Sequence, residues 1–112
     1  MEIEFQPRRI NDTNYDTLVV DPKTNTVIGE KPWFIFFYYN KCGICQNFKV
    51  DFDQIAYDLR DIANFAYIEV MSNELLKETY QIKHSPFFVF LKGNKYYFYE
   101  NARKTQAIQE YI

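Results

Sequence analysis

The sequence predicts an α/β domain, a mixed β-sheet carrying helices on both faces. Three observations lead there. Pro32 to Tyr39 is a strongly apolar run without polar alternation, as a strand buried on both faces requires, and Phe65 to Met71 reads as a second internal strand. Between them, apolar residues recur every three or four positions, the period of a helix packed along one side. Farther on, two apolar runs flank Gly93-Asn94, the signature of a hairpin.

The elements follow in order. Glu2 to Gln6 alternates polar and apolar residues and reads as a short first strand. Thr13 is the expected cap of a short helix over Asn14 to Val19, its hydroxyl accepting from a first-turn N–H. Asp21-Pro22-Lys23-Thr24-Asn25 is turn chemistry, and Pro32 marks entry into the strand Trp33 to Tyr39. A helical pattern then runs from Asn47 to Ile62. Its stripe is Phe48, Phe52, Ile55, Ala56, Leu59 and Ile62, with Lys49, Asp51, Asp53, Asp58 and Arg60 outside it. After the strand Phe65 to Met71, Ser72 should cap a helix reaching about Tyr80, with Glu74 well placed for the helix dipole. The hairpin strands are Pro86 to Lys92 and Lys95 to Tyr99. Asn101 is the expected cap of a closing helix that turns Ala107, Ile108, Tyr111 and Ile112 inward. A parallel pair followed by a hairpin gives four main strands, with one more at the N-terminus.

Composition limits the function. At 112 residues, 47% hydrophobic and 20% aromatic, the chain reads as one domain over residues 1–112 with a substantial core, either alone or as part of a longer parent. Net charge is −2 with both signs interspersed, so no basic stripe invites nucleic acid. The longest apolar run is far short of the roughly 20 residues that cross a bilayer. Met1-Glu2-Ile3-Glu4 does not resemble the start of a secretory signal, which leaves two compartments open: the cytosol, or a lumen entered by a chain whose signal has been removed.

Cys42-Gly43-Ile44-Cys45 contains both cysteines of the chain. The spacing suits two chemistries: disulfide exchange, in which one thiol attacks and the other resolves, or half of a zinc site. Strand before and helix after favour exchange. Zinc would need two more ligands, and His84 is the sole histidine, so no metal and no cofactor is expected. A free thiol titrates near ~8.5 and the nucleophile is the thiolate. Cys42 stands ahead of the helix opened by Gly43, where unpaired N–H groups and the dipole favour negative charge, and Lys41 adds a cation. Cys42 is therefore the expected nucleophile, with a lowered pKa, and Cys45 the buried resolving thiol.

Several segments together resemble the thioredoxin fold, and in particular the catalytic domains of the protein disulfide isomerase family. Ile10-Asn11-Asp12-Thr13-Asn14-Tyr15-Asp16 resembles L-T-D-x-N-F-D; Lys31-Pro32-Trp33-Phe34-Ile35-Phe36-Phe37-Tyr38 resembles K-P-W-x-V-E-F-Y. Cys42-Gly43-Ile44-Cys45-Gln46-Asn47-Phe48 resembles C-G-H-C-K-N-L, with Phe52 where P-E-F ends. Tyr80-Gln81-Ile82-Lys83-His84-Ser85-Pro86 resembles Y-x-V-x-G-Y-P, and Tyr99-Glu100-Asn101-Ala102-Arg103 resembles Y-x-G-x-R. The likeness runs from about Ile10 to the end.

The resemblance implies a thiol–disulfide oxidoreductase exchanging disulfides with protein substrates. It implies a cis bond at Pro86, with Ser85 and Pro86 meeting the substrate backbone, and an Arg103 that approaches the resolving cysteine. It favours the endoplasmic reticulum lumen, and partner domains in a longer chain. Departures are equally specific. The family's buried glutamate is Phe36 here and its lysine partner is Tyr67, so both halves of a proton-transfer pair are missing. Lys41 replaces an aromatic residue, Ile44 a histidine, and Val50 a helix-kinking proline, which predicts a straighter helix. Ile44 offers a thiolate neither charge nor hydrogen bond. The expected potential therefore lies below that of a C-G-H-C site, within a fold spanning about −270 to about −180 mV. The competing reading is a non-enzymatic interaction module whose weakened site reflects relaxed chemistry. His84 is expected as a partly exposed loop residue. Tyr97 and Tyr99 should share one face of their strand and Tyr96 and Phe98 the other. Two readings stand for this strip: an open aromatic face that holds unfolded polypeptide or a partner subunit, and, as the safer expectation, packing under the closing helix.

Overall fold

The structure is a computed structural model and describes residues 7–112. The strand expected over Glu2 to Gln6 lies outside the described residues. In chain order the elements are β1 (Arg8–Arg9), α1 (Tyr15–Leu18), β2 (Val20–Asp21), β3 (Thr26–Val27) and β4 (Trp33–Tyr38). They continue with α2 (Gly43–Asp58), β5 (Asn64–Glu69), α3 (Glu74–Thr79), β6 (Phe87–Lys92), β7 (Lys95–Tyr99) and α4 (Thr105–Tyr111).

Five strands form one mixed sheet in the order β1-β5-β4-β6-β7. β4 and β5 run parallel, from Trp33 opposite Asn64 to Tyr38 opposite Glu69, a pairing that needs the α2 crossover. β6 lies antiparallel to β4, and β7 antiparallel to β6. Every residue of β4 is buried, which is why this strand shows no polar alternation. Alternate β4 residues feed two cores. Phe34, Phe36 and Tyr38 join Phe48, Phe52 and Ile55 of α2 and Ile108 of α4. Trp33, Ile35 and Phe37 join Tyr15, Leu76, Tyr80 and Val89 on the other face. Sheet centre and hairpin stand as the sequence reading has them, α2 is present but shifted to Gly43–Asp58 from the expected Asn47 to Ile62, and Gly93 takes the positive φ of 61° that its turn demands.

The differences are local. Residues Asp21 to Asn25 do turn, but between two paired strands, β2 and β3, which form a separate hairpin. Thr13 does not cap α1: Asn14 occupies that position without a side-chain cap, and Asn11 Oδ1 accepts from the amides of Thr13 and Asn14 (both 2.9 Å). Nor does Ser72 cap α3. β5 ends at Glu69, Val70–Ser72 form a 3₁₀ turn, and Asp12 caps α3 from across the chain, accepting from Leu75 N (3.1 Å) and Leu76 N (3.0 Å). Asn101 precedes α4 without capping it; the N-cap position is Lys104. α2 stops at Asp58, where Arg60 Nη1 donates to Tyr57 O at 2.6 Å, so Ile62 lies past the helix and is exposed.

Candidate active site

The functional end of the sheet is where β4 gives way to α2. Trp33 to Tyr38 carries the chain through the core, Tyr39 to Lys41 turns, and Cys42 becomes the N-cap of α2 with extended backbone (φ −83°, ψ 110°). Its sulfur accepts from the amide of Cys45 at 3.2 Å, as a serine cap would, and the first turn holds no carboxylate to oppose a negative charge. Cys45, one turn in, is fully buried, whereas Cys42 is half-buried. The two are joined as a disulfide with Cα atoms 5.2 Å apart.

Gly43 and Ile44 form the exposed outer rim, Ile44 at 63% exposure; Lys41 is also exposed beside Cys42. Opposite them, the Ser85–Pro86 bond is cis. Ser85 Oγ lies 3.3 Å from Cys45 Sγ, and with the sulfur in a disulfide the hydroxyl is the donor. Arg103 is exposed and lines a shallow cleft of about 210 Å³ with His84, Pro86, Phe87, Tyr99 and Glu100. Its guanidinium sits 5.6 Å from the centre of the Phe88 ring. The sequence-derived set thus occupies one end of the sheet, with Cys42, Cys45 and Ser85 in mutual contact through Cys45 and Arg103 on the flanking cleft. The Ser85 hydroxyl was not anticipated; only its backbone was. No metal-binding group of three or more His, Cys, Asp or Glu exists among the described residues.

Phe36 and Tyr67 face each other in the β4–β5 register, their rings 6.2 Å apart, so both positions are aromatic where a charge pair was absent from sequence. Charges gather instead at the rim of this core. Lys49 Nζ lies 3.9 Å from the Tyr38 ring centre and 5.5 Å from that of Tyr67, and Arg9 Cζ lies 5.6 Å from Tyr67. Asp53, one turn beyond Lys49, has a buried Oδ1 that accepts no hydrogen bond among the described residues. Desolvation pushes its pKa above the ordinary carboxylate value, with Lys49 and then Arg9 pulling the other way. Nothing in a lone Asp on a helix pattern signalled this. Because the folded pKa is raised, protonation favours the fold: that stability is present below pH ~4 and lost as pH rises through the folded value. Asp53→Asn should therefore raise the melting temperature at pH 7, with the gain vanishing at pH 3. Thermal unfolding at both values is the check, and equal shifts at both would contradict the assignment.

A cysteine pair capping the helix that follows a central parallel strand, beside a cis-proline, defines the thioredoxin-like class of α/β proteins. The family model for thioredoxin matches residues 6–112, and the chain belongs to that family. A "Thioredoxin domain-containing protein" from Theileria parva is 27% identical over 96 residues, 86% of this chain but 42% of the relative, so the chain spans under half that protein's length. Among solved structures, the first thioredoxin domain of mouse protein disulfide-isomerase A4 superposes with a TM-score of 0.75 at 25% identity. That match covers 89% of this chain and 68% of the other. The Trx4 domain of ERdj5 superposes with a TM-score of 0.77 over 95% of this chain and 91% of its own. At 17% identity it speaks for the fold alone.

Proposed function

We propose that this domain is a thiol–disulfide oxidoreductase of the protein disulfide isomerase type, acting on cysteines of protein clients. The observation that carries the reading is the asymmetry of the pair: a half-exposed sulfur held at a helix N-cap by an amide, bound to a sulfur that solvent cannot reach. In the reducing direction the Cys42 thiolate attacks one sulfur of a client disulfide. The client's other sulfur leaves as thiolate, and a mixed disulfide forms. Cys45 then attacks the Cys42 sulfur, closing the internal disulfide and expelling the second client thiolate. The client gains two electrons and the site loses them; the reverse sequence oxidises a client dithiol.

The other residues have supporting roles. The α2 N-terminus opened by Gly43 and the Lys41 cation favour the Cys42 thiolate. Ile44 leaves that thiolate without a further donor, and Ser85 Oγ offers the Cys45 sulfur one. Ser85 and Pro86 receive the extended client backbone. Arg103 serves as the cation that stabilises Cys45 when its thiolate is needed. The likeness to the mouse isomerase domain supports the endoplasmic reticulum lumen as the site of action and further domains in a longer parent chain.

Two measurements test the proposal. The wild-type protein should reduce insulin disulfides catalytically with dithiothreitol as the electron source. The Cys45→Ser variant should hold clients as covalent adducts that dithiothreitol releases, since its attacking thiol remains and its resolving thiol is gone. Failure of both would favour the alternative, a non-enzymatic interaction module, for which the uncharged Phe36 and Tyr67 positions also speak.

A further inference from the structure

The sheet face opposite α2 and α4 is only partly covered. α1, α3 and the β2–β3 hairpin pack over its β5, β4 and β6 strands, but β7 is the sheet edge, and its residues Tyr96 and Phe98 on that face are 53% and 48% exposed. Of the two readings of this strip, packing under the closing helix is therefore corrected for Tyr96 and Phe98, which lie on the open face. The register places Phe98 beside Val89 and Tyr96 beside Leu91, on the face away from α4. α4 meets the other face, where Tyr111 touches Phe90 and Tyr99.

Tyr96 and Phe98 belong to a continuous row of rings. His84 contacts Phe87 (centroids 5.0 Å), Phe87 contacts Phe98 (5.1 Å), Phe98 contacts Tyr96 (5.7 Å) and Tyr96 contacts Tyr80 (5.3 Å). The row starts at the residues flanking Ser85 and Pro86, so it is continuous with the cleft beside the disulfide. It ends in a groove of about 500 Å³ lined by Tyr80, Tyr96, Leu75, Val27, Leu91 and Tyr15. The row is open at Tyr96 and Phe98, half-buried at Phe87 and closed at Tyr80, and the groove at its end also carries Asp12, Asp16 and Lys95. Adjacent large rings left open in this way mark a binding surface rather than ordinary surface scatter.

We propose that this aromatic row is an exosite for an extended client segment with apolar or aromatic side chains at alternate positions, running from the cis-proline cleft across β7. The occupant is argued from continuity: a backbone received at Ser85–Pro86 leads directly onto Phe87 and Phe98. Alternate residues of an extended chain lie about 6.5–7 Å apart, close enough to the ring spacing for successive side chains to seat on or between rings. The proposal rests on the oxidoreductase reading, which supplies the client backbone at Ser85–Pro86, and the test separates the two.

The variant Tyr96→Thr/Phe98→Thr keeps β-favouring residues on the strand. Its KM for insulin should rise about tenfold, with the rate on a small disulfide such as glutathione disulfide unchanged. Tyr97→Thr, on the opposite face of the same strand, should match wild type on both. In wild type, a cysteine-free peptide alternating phenylalanine with serine should compete against insulin and leave glutathione disulfide untouched, an arm that needs no variant to fold. Equal kinetics in all proteins together with no competition would overturn the exosite. If wild type turns over no disulfide, the oxidoreductase reading fails, and binding of that peptide to Cys42→Ser/Cys45→Ser protein decides the row. Affinity lost with Tyr96 and Phe98 supports it, and no binding overturns it. A concentration-dependent dimer, seen by sedimentation and abolished by the double substitution, would also overturn it, since a second copy would then own the face.

Discussion

Cys42→Ser should reduce insulin-disulfide turnover to the uncatalysed rate while leaving the fold in place. Serine is among the best N-cap residues, and its oxygen replaces the sulfur that accepts the Cys45 amide, so α2 keeps its start. The remaining thiol, Cys45, is fully buried between α2 and the β4 end and cannot reach a client sulfur. The loss is thus one of chemistry, not of structure. Both proteins are compared in reduced form, because the closed loop between the cysteines would otherwise add about 2 kcal/mol of unfolded-state constraint to the wild type alone. Circular dichroism and melting temperature of the reduced pair should coincide within a few degrees. Turnover retained by Cys42→Ser would remove Cys42 from the nucleophile's position and the oxidoreductase reading with it.

The sequence was most legible where local pattern and tertiary environment agree. Trp33 to Tyr38 is apolar throughout because both faces of the central strand are covered, and Phe48, Phe52 and Ile55 fall on one side of α2 because that side meets the sheet. Gly93-Asn94 marks its turn because φ is positive at Gly93. Distant partners were not legible. Asp12 caps α3 through Leu75 and Leu76, some sixty residues away in sequence, and this left Ser72 as the apparent local cap. Similarly, the fate of Tyr96 and Phe98 depends on strand order: only at a sheet edge, with α4 on the opposite face, do they stay open. The cysteine pair was legible as a unit, but the approach of Ser85 to Cys45 over forty residues needed the fold.

Phe36→Glu places in this chain the carboxyl that the resemblance leads one to look for, and it should destabilise the domain by about 3–5 kcal/mol at pH 7. Phe36 is fully buried and its ring meets Phe88 (5.1 Å), Phe52 (5.2 Å), Phe48 (5.4 Å), Tyr38 (5.8 Å) and Tyr67 (6.2 Å). Removing that ring alone costs what a buried Phe→Ala change costs, and the carboxyl arrives with no cation opposite it. Lys49 lies at the rim over Tyr38 and Tyr67, not in the layer that Phe36 fills. Against a total stability of about 5–15 kcal/mol, the variant should unfold at markedly lower urea concentration. Burial will raise the new carboxyl's pKa. The defect should therefore be smallest below pH ~4.3 and grow as pH rises through the folded value. Tyr67, the registered neighbour on β5, is where a compensating lysine belongs. Phe36→Glu/Tyr67→Lys should recover part of the loss at pH 7, since a buried charge with a partner is far less costly than one without. A Phe36→Glu protein as stable as wild type across this pH range would mean that the aromatic layer already admits water or a cation. In that case the absence of a carboxyl at this position is not a consequence of packing.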